Sequence, residues 1–117
     1  MVVDDVSVNI YVAEEMLRFY DFNVETAENG FDVIEKIKNG KKYDIIFMDH
    51  MMPVMDGMET TLQLRKMGYD GAIVALTANA LIGNDEKFMQ NGFDGFLSKP
   101  IDIQKLDEII KYFSKSS

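Results

Sequence analysis

The chain contains no cysteine, which excludes a disulfide framework and any thiolate metal site. No apolar run approaches the roughly 18 residues that a membrane-spanning helix needs, and no charged-then-apolar leader opens the chain. The expectation is a soluble, cytoplasmic protein that makes no membrane contact of its own. Positive charge is scarce: 12 Lys and Arg stand against 20 Asp and Glu, for a net charge of −8. A phosphate backbone demands a basic face, so direct nucleic-acid binding is not expected. The one histidine, His50, has no second imidazole to join it and reads as a packing or surface residue.

What is present is ordinary globular material. With 117 residues, 47% hydrophobic and 27% charged, the chain reads as one domain over residues 1–117. Strand-like apolar runs, at Met1 to Val3, Asn23 to Ala27, Ile45 to Met48, Ala72 to Leu76 and Gly95 to Leu97, alternate with segments of helical period. That alternation predicts an α/β fold, a doubly wound five-stranded parallel sheet with helices on both faces. Ile10, Ala13, Leu17 and Tyr20 keep the spacing of a first helix, and Leu106, Ile109, Ile110 and Phe113 that of a last one. Phe31, Ile34 and Ile37 mark a second helix, opened at Asn29-Gly30 and closed near Asn39-Gly40. A third runs from about Met58 to Met67, with Asp56 as its cap, Gly57 supplying a tight bend and Gly68 stopping it. The stretch Asn84 to Asn91 reads as a further helix with a thin apolar face, loosely held. Most of the nine methionines read as core filling.

The chemistry-bearing residues gather at strand ends. The first run ends at Asp4-Asp5, the third at Asp49, the fourth at Thr77, and the fifth leads into Ser98-Lys99-Pro100. In a parallel sheet these ends point the same way, and doubly wound sheets form their sites there. Taken singly, each aspartate fits helix capping or turn chemistry. Taken together with Thr77 and Lys99, they predict three carboxylates, a hydroxyl and an ammonium around one pocket. Crowded carboxylates repel one another unless a cation enters. Mg²⁺ suits such oxygen donors and keeps waters that phosphoryl oxygens can replace. These parts compose an aspartyl-phosphate site.

Val2-Val3-Asp4-Asp5, Met48-Asp49 with Met52-Pro53-Val54-Met55-Asp56-Gly57, Ala75-Leu76-Thr77-Ala78 and Leu97-Ser98-Lys99-Pro100 together resemble the signature of two-component response-regulator receiver domains, over essentially the whole chain. The Met-Asp-His-Met-Met-Pro and Leu-Thr-Ala-Asn-Ala stretches are most similar to receivers of hybrid histidine kinases. The resemblance implies a flavodoxin-like strand order 2-1-3-4-5 and Asp49 as phosphoacceptor. It implies Mg²⁺ as cofactor, with Asp5 a direct ligand, Asp4 holding it partly through water, and the Met51 backbone carbonyl as the remaining protein ligand beside Asp49. Thr77 and Lys99 would bind phosphoryl oxygens. Thr77 and Phe96 would switch together, and the Lys99-Pro100 bond would be cis. The implied partners are a histidine kinase or a histidine phosphotransfer domain, with a downstream effector or a second copy as further ones. The chain would catalyse only its own aspartyl phosphorylation and dephosphorylation.

Two rival functions fit less well. An aspartyl-nucleophile phosphatase generally wants a second Asp two residues past the first, where Met51 stands. A flavin or nucleotide carrier wants a glycine-rich loop after the first strand, where Asp4-Asp5-Val6-Ser7 stands. The first strand is also short against a typical length of about five residues, and the expectation is that the chain has been trimmed at its start.

Overall fold

The computed structural model describes residues 1–20, 24–49, 55–77, 92–98 and 101–114, apart from the side chains of residues 19 and 114. In chain order these form β1 (Val2–Val3), α1 (Ser7–Leu17) continuing into a 3₁₀ turn (Arg18–Tyr20), and β2 (Thr26–Ala27). Then come α2 (Gly30–Lys38), β3 (Ile45–Asp49), α3 (Gly57–Lys66), β4 (Ala72–Thr77), β5 (Gly95–Ser98) and α4 (Ile103–Ser114). The expected helix over Asn84 to Asn91 lies outside the described residues.

The strands form one sheet in the order β2-β1-β3-β4-β5, every pairing parallel. This is the flavodoxin-like doubly wound arrangement. The order reverses at β1, which lies between β2 and β3, and so opens a crevice at the carboxyl ends of β1 and β3. Register places Val3 opposite Met48, Asp49 opposite Leu76, and Thr77 opposite Ser98.

Side chains alternate across a strand, so a sheet buried on both faces needs apolar residues at every position. β3 is buried along its whole length, and β4 everywhere except Ala72. Val3, Ile46, Met48, Ile73 and Ala75 pack on one face with Val33 of α2 and Leu64 of α3. Val2, Ile45, Phe47, Val74, Leu76 and Leu97 pack on the other with Ala13 and Leu17 of α1 and Leu106 and Ile110 of α4.

Local chemistry sets the helix ends. Asn29 Oδ1 accepts a hydrogen bond from Asp32 N, and Asp56 Oδ1 one from Glu59 N, each at 2.9 Å, which caps α2 and α3. Gly40 and Gly68 end the same two helices at φ +89° and +88°, the left-handed region that glycine enters without penalty. The tight bend expected at Gly57 is not found there: that residue is buried as the first of α3, because Asp56 already turns the chain into the helix. Phe31, which with Ile34 and Ile37 marks α2 as expected, is itself 55% exposed. The inner stripe of α2 is Gly30, Val33, Ile34 and Ile37, and at about 100° per residue Phe31 falls to its side. Gly30 defines that stripe because a Cβ there would collide with Thr60 Oγ1 of α3.

Candidate functional site

The site is built where β1 stops. Val3 ends the strand, and Asp4 N still donates to Ala27 O of β2 at 3.1 Å. The Asp4 carboxylate then turns back, Oδ1 accepting from Val6 N at 2.9 Å, just before α1 begins at Ser7. Asp49 is the last residue of β3, the neighbour of β1. Asp4 and Asp49 are buried, 1% and 4% exposed, whereas Asp5 lies exposed at the rim. One carboxylate oxygen from each of Asp4, Asp5 and Asp49 lies within 4.8 Å of the others. Residues 44 positions apart in the chain thus meet because β1 packs beside β3.

The donor set decides what the cluster suits. Two oxygens sharing one ion at about 2.0–2.6 Å are separated by at most about 4–5 Å, so the observed spread is compatible with a single cation. All three donors are hard carboxylate oxygens, which favour Mg²⁺, Ca²⁺ or Mn²⁺ over thiolate-seeking metals. Two buried carboxyl groups and one at the rim leave the solvent side for water or a phosphoryl group.

Thr77 ends β4, is buried at 4% exposure, and stands opposite Ser98 of β5. Phe96 is half-buried, stands opposite Ala75, and packs against the α2 and α3 face of the core. By strand alternation Ala75, Thr77, Phe96 and Ser98 share that face, so the hydroxyl and the aromatic ring expected to act together lie on one side of the sheet. His50, Met51, Lys99 and Pro100 lie outside the described residues.

One feature of the surroundings escaped the sequence reading. On α1, Val8, Tyr11 and Val12 are 66%, 65% and 41% exposed, an apolar strip on the helix that starts beside Asp5. The signal was available, since these residues fall off the Ile10, Ala13, Leu17 stripe that the core takes.

Comparison with known proteins agrees with this geometry. Residues 1–111 match the family model described as the response regulator receiver domain. The osmosensing histidine protein kinase SLN1 of Saccharomyces cerevisiae is 40% identical over 119 residues, covering 97% of this chain but 10% of that protein. The chain therefore spans only a small part of that relative. Two-component response regulator 24 of Arabidopsis thaliana is 34% identical over 110 residues, covering 94% of this chain and 79% of that protein. Among solved structures, the receiver domain of a sensor histidine kinase from Pseudomonas aeruginosa, with a magnesium ion coordinated in its active site cleft, has a TM-score of 0.84 at 35% identity. It covers 96% of this chain and 93% of that one. The co-crystal structure of the Saccharomyces cerevisiae histidine phosphotransfer protein Ypd1 with the receiver domain of its downstream response regulator Ssk1 matches with a TM-score of 0.86 at 26% identity, over 96% of this chain and 85% of that one. With its sheet order, its acidic cluster at the switch point and a family match over nearly its whole length, the chain belongs to the response regulator receiver domain family.

Proposed function

We propose that residues 1–117 act as one receiver domain that takes a phosphoryl group from a phosphohistidine onto Asp49. The donor is a histidine kinase or a histidine phosphotransfer domain. The convergence of Asp4, Asp5 and Asp49 at the ends of β1 and β3 is the observation that carries this reading. An Asp49 carboxylate oxygen attacks phosphorus in line, the P–O bond forms as the P–N bond of the donor breaks, and the imidazole nitrogen leaves with the electron pair and is protonated.

Asp49, Asp5 and Asp4, with the Met51 carbonyl, would hold the cation, Asp5 as a direct ligand and Asp4 in support. When bound, Mg²⁺ offsets the carboxylate charge and stabilises the negative charge on the phosphoryl oxygens. The Thr77 hydroxyl donates to one phosphoryl oxygen and the Lys99 ammonium neutralises another. The added charge, about −2 near neutral pH, draws Thr77 inward and lets Phe96 turn, biasing the surface that downstream partners read. The domain catalyses no reaction beyond its own phosphorylation and dephosphorylation. Val8, Tyr11 and Val12 give the donor protein an apolar seat beside the rim at Asp5, which suits a group that must reach a buried Asp49.

The test is phosphotransfer from phosphorylated histidine kinases or phosphotransfer proteins in the presence of Mg²⁺, comparing this chain with Asp49→Asn. The expected result is label on the first and none on the second. Full-yield label on the Asp49→Asn protein would overturn the assignment.

A further inference from the structure

On the last turn of α3, far from the acidic cluster in the chain, Arg65 is bonded through all of its guanidinium nitrogens. Nη1 donates to Tyr69 O at 2.8 Å and Gly71 O at 2.9 Å, Nε and Nη2 donate to Gly92 O at 3.0 and 2.8 Å, and Nη2 donates to Asp94 Oδ2 at 2.8 Å. A guanidinium has five N–H donors in a fixed planar fork, and these five contacts employ them all. The same Asp94 oxygen accepts from Ile73 N at 2.9 Å, and Asp94 N donates to Ile73 O at 2.8 Å. One side chain therefore joins α3, the turn entering β4 and the turn entering β5.

These bonds converge at the start of β5. β5 has four residues, pairs among the described residues with β4 alone, and opens with Gly95, which has no side chain to pack. Gly92 lies at φ +98°, and a Cβ there would stand 2.9 Å from Arg65 Cγ and 3.3 Å from Thr61 Cγ2. The backbone is thus drawn directly onto the arginine. Slipping β5 by one residue would send Phe96 and Ser98 to the opposite face and break the Thr77–Ser98 pairing at the site end of the sheet.

We propose that Arg65 is a positioning residue for phosphoryl transfer: with Asp94 it locks the register of β5 on β4, and so sets Thr77, Ser98 and the chain leading to Lys99 against Asp49. The proposal rests on the reading that Asp49 accepts the phosphoryl group. It assigns to Arg65 no contact with substrate. The Asp4, Asp5 and Asp49 carboxylates are carried by the residues that follow β1 and by the end of β3, and none of the clamp's hydrogen bonds is made to either, so cation binding and phosphoryl transfer separate in the test.

The experiment measures initial rates of Asp49 phosphorylation by acetyl phosphate at saturating donor and Mg²⁺, together with Mg²⁺ affinity, for the wild type, Arg65→Ala, Arg65→Lys and Asp94→Asn. Rates are taken well below each melting temperature. Misplacement of a catalytic group by about 1 Å costs on the order of 10²-fold, so the maximal rate in Arg65→Ala should fall by on the order of tenfold or more, with Mg²⁺ affinity within about twofold of wild type. Arg65→Lys should rescue little, because an ammonium cannot reproduce the fork. If Arg65→Ala does not fold, Asp94→Asn, which keeps an acceptor for Ile73 N, decides the matter with a smaller drop in rate and faster amide exchange at Leu97 and Ser98. Folded variants with wild-type rates, or with Mg²⁺ affinity falling in step with rate, would overturn the proposal. A wild-type protein that takes no label would instead overturn the function itself.

Discussion

At the amino-terminal end of the sheet, polar side chains are matched by opposite charges and by carbonyls. Arg65 joins three carbonyls and Asp94, while Tyr43 OH and Lys41 Nζ both reach Glu25 Oε1, at 3.2 and 3.4 Å. Burial, with Glu25 beside it, pushes the Tyr43 phenol up to about 12, which keeps it protonated and donating. At the carboxyl end the opposite arrangement holds, and three carboxylates converge within 4.8 Å. Like charges brought together oppose folding, so this end is arranged for binding, and the stability that tolerates it comes from elsewhere.

The largest effect expected from this contrast is a response to cation at the acidic end. Mg²⁺ at about 100 times its dissociation constant should stabilise the fold by about 2.7 kcal/mol, reversed by chelator and read by thermal melts. Asp5→Ala should shrink that shift more than Asp4→Ala. An equal shift in both variants would redistribute the proposed ligand roles.

A smaller effect tests whether the rest of the molecule is as well matched as its amino-terminal end. Thr60 Oγ1 donates to Asp56 O at 2.9 Å, but the buried Oγ1 of the neighbouring Thr61 has no hydrogen-bond partner among the described residues. An unsatisfied buried hydroxyl costs on the order of 1 kcal/mol or more, and valine has nearly the same shape. Thr61→Val should raise the unfolding free energy by about 1 kcal/mol, measured by urea denaturation. A loss of stability would mean that the hydroxyl has a partner in solution.

The smallest effect concerns an exposed ion pair. Asp107 accepts from Lys111 Nζ at 2.9 Å and from Tyr20 OH at 2.7 Å, and the lysine first, then the tyrosine, hold its carboxyl below the ordinary 3.8. A depressed carboxyl contributes stability above its unfolded value and loses it as pH falls through the folded one. Asp107→Asn should therefore make the acid limb of the pH–stability curve slightly shallower below about pH 4, with no change at the acceptor.

Much of this fold is legible in the chain alone. Ile45 to Met48 and Ala72 to Leu76 are short runs, apolar at consecutive positions, as a strand covered on both faces requires, and both are strands. The caps at Asn29 and Asp56 and the stops at Gly40 and Gly68 follow from local backbone chemistry. The acidic trio was legible because each member sits at a strand end, a place that sequence period can find. Phe31 marks α2 yet lies exposed, because apolar spacing locates a helix without fixing which of its apolar residues turn inward. Arg65 gave no signal, since its partners are mostly backbone carbonyls, which every residue carries.

The amino-acid sequence by itself determined the alternation of strands and helices and their ends, because propensity, burial pattern and capping act over a few neighbouring residues. The tertiary structure brings the three aspartates together by seating β1 between β2 and β3, as the strand ends and the family resemblance led one to expect, and it alone decided that one arginine ties α3 to the starts of β4 and β5. Those are contacts between distant segments, set by how two faces of a twisted sheet are covered at once, and no local preference encodes them.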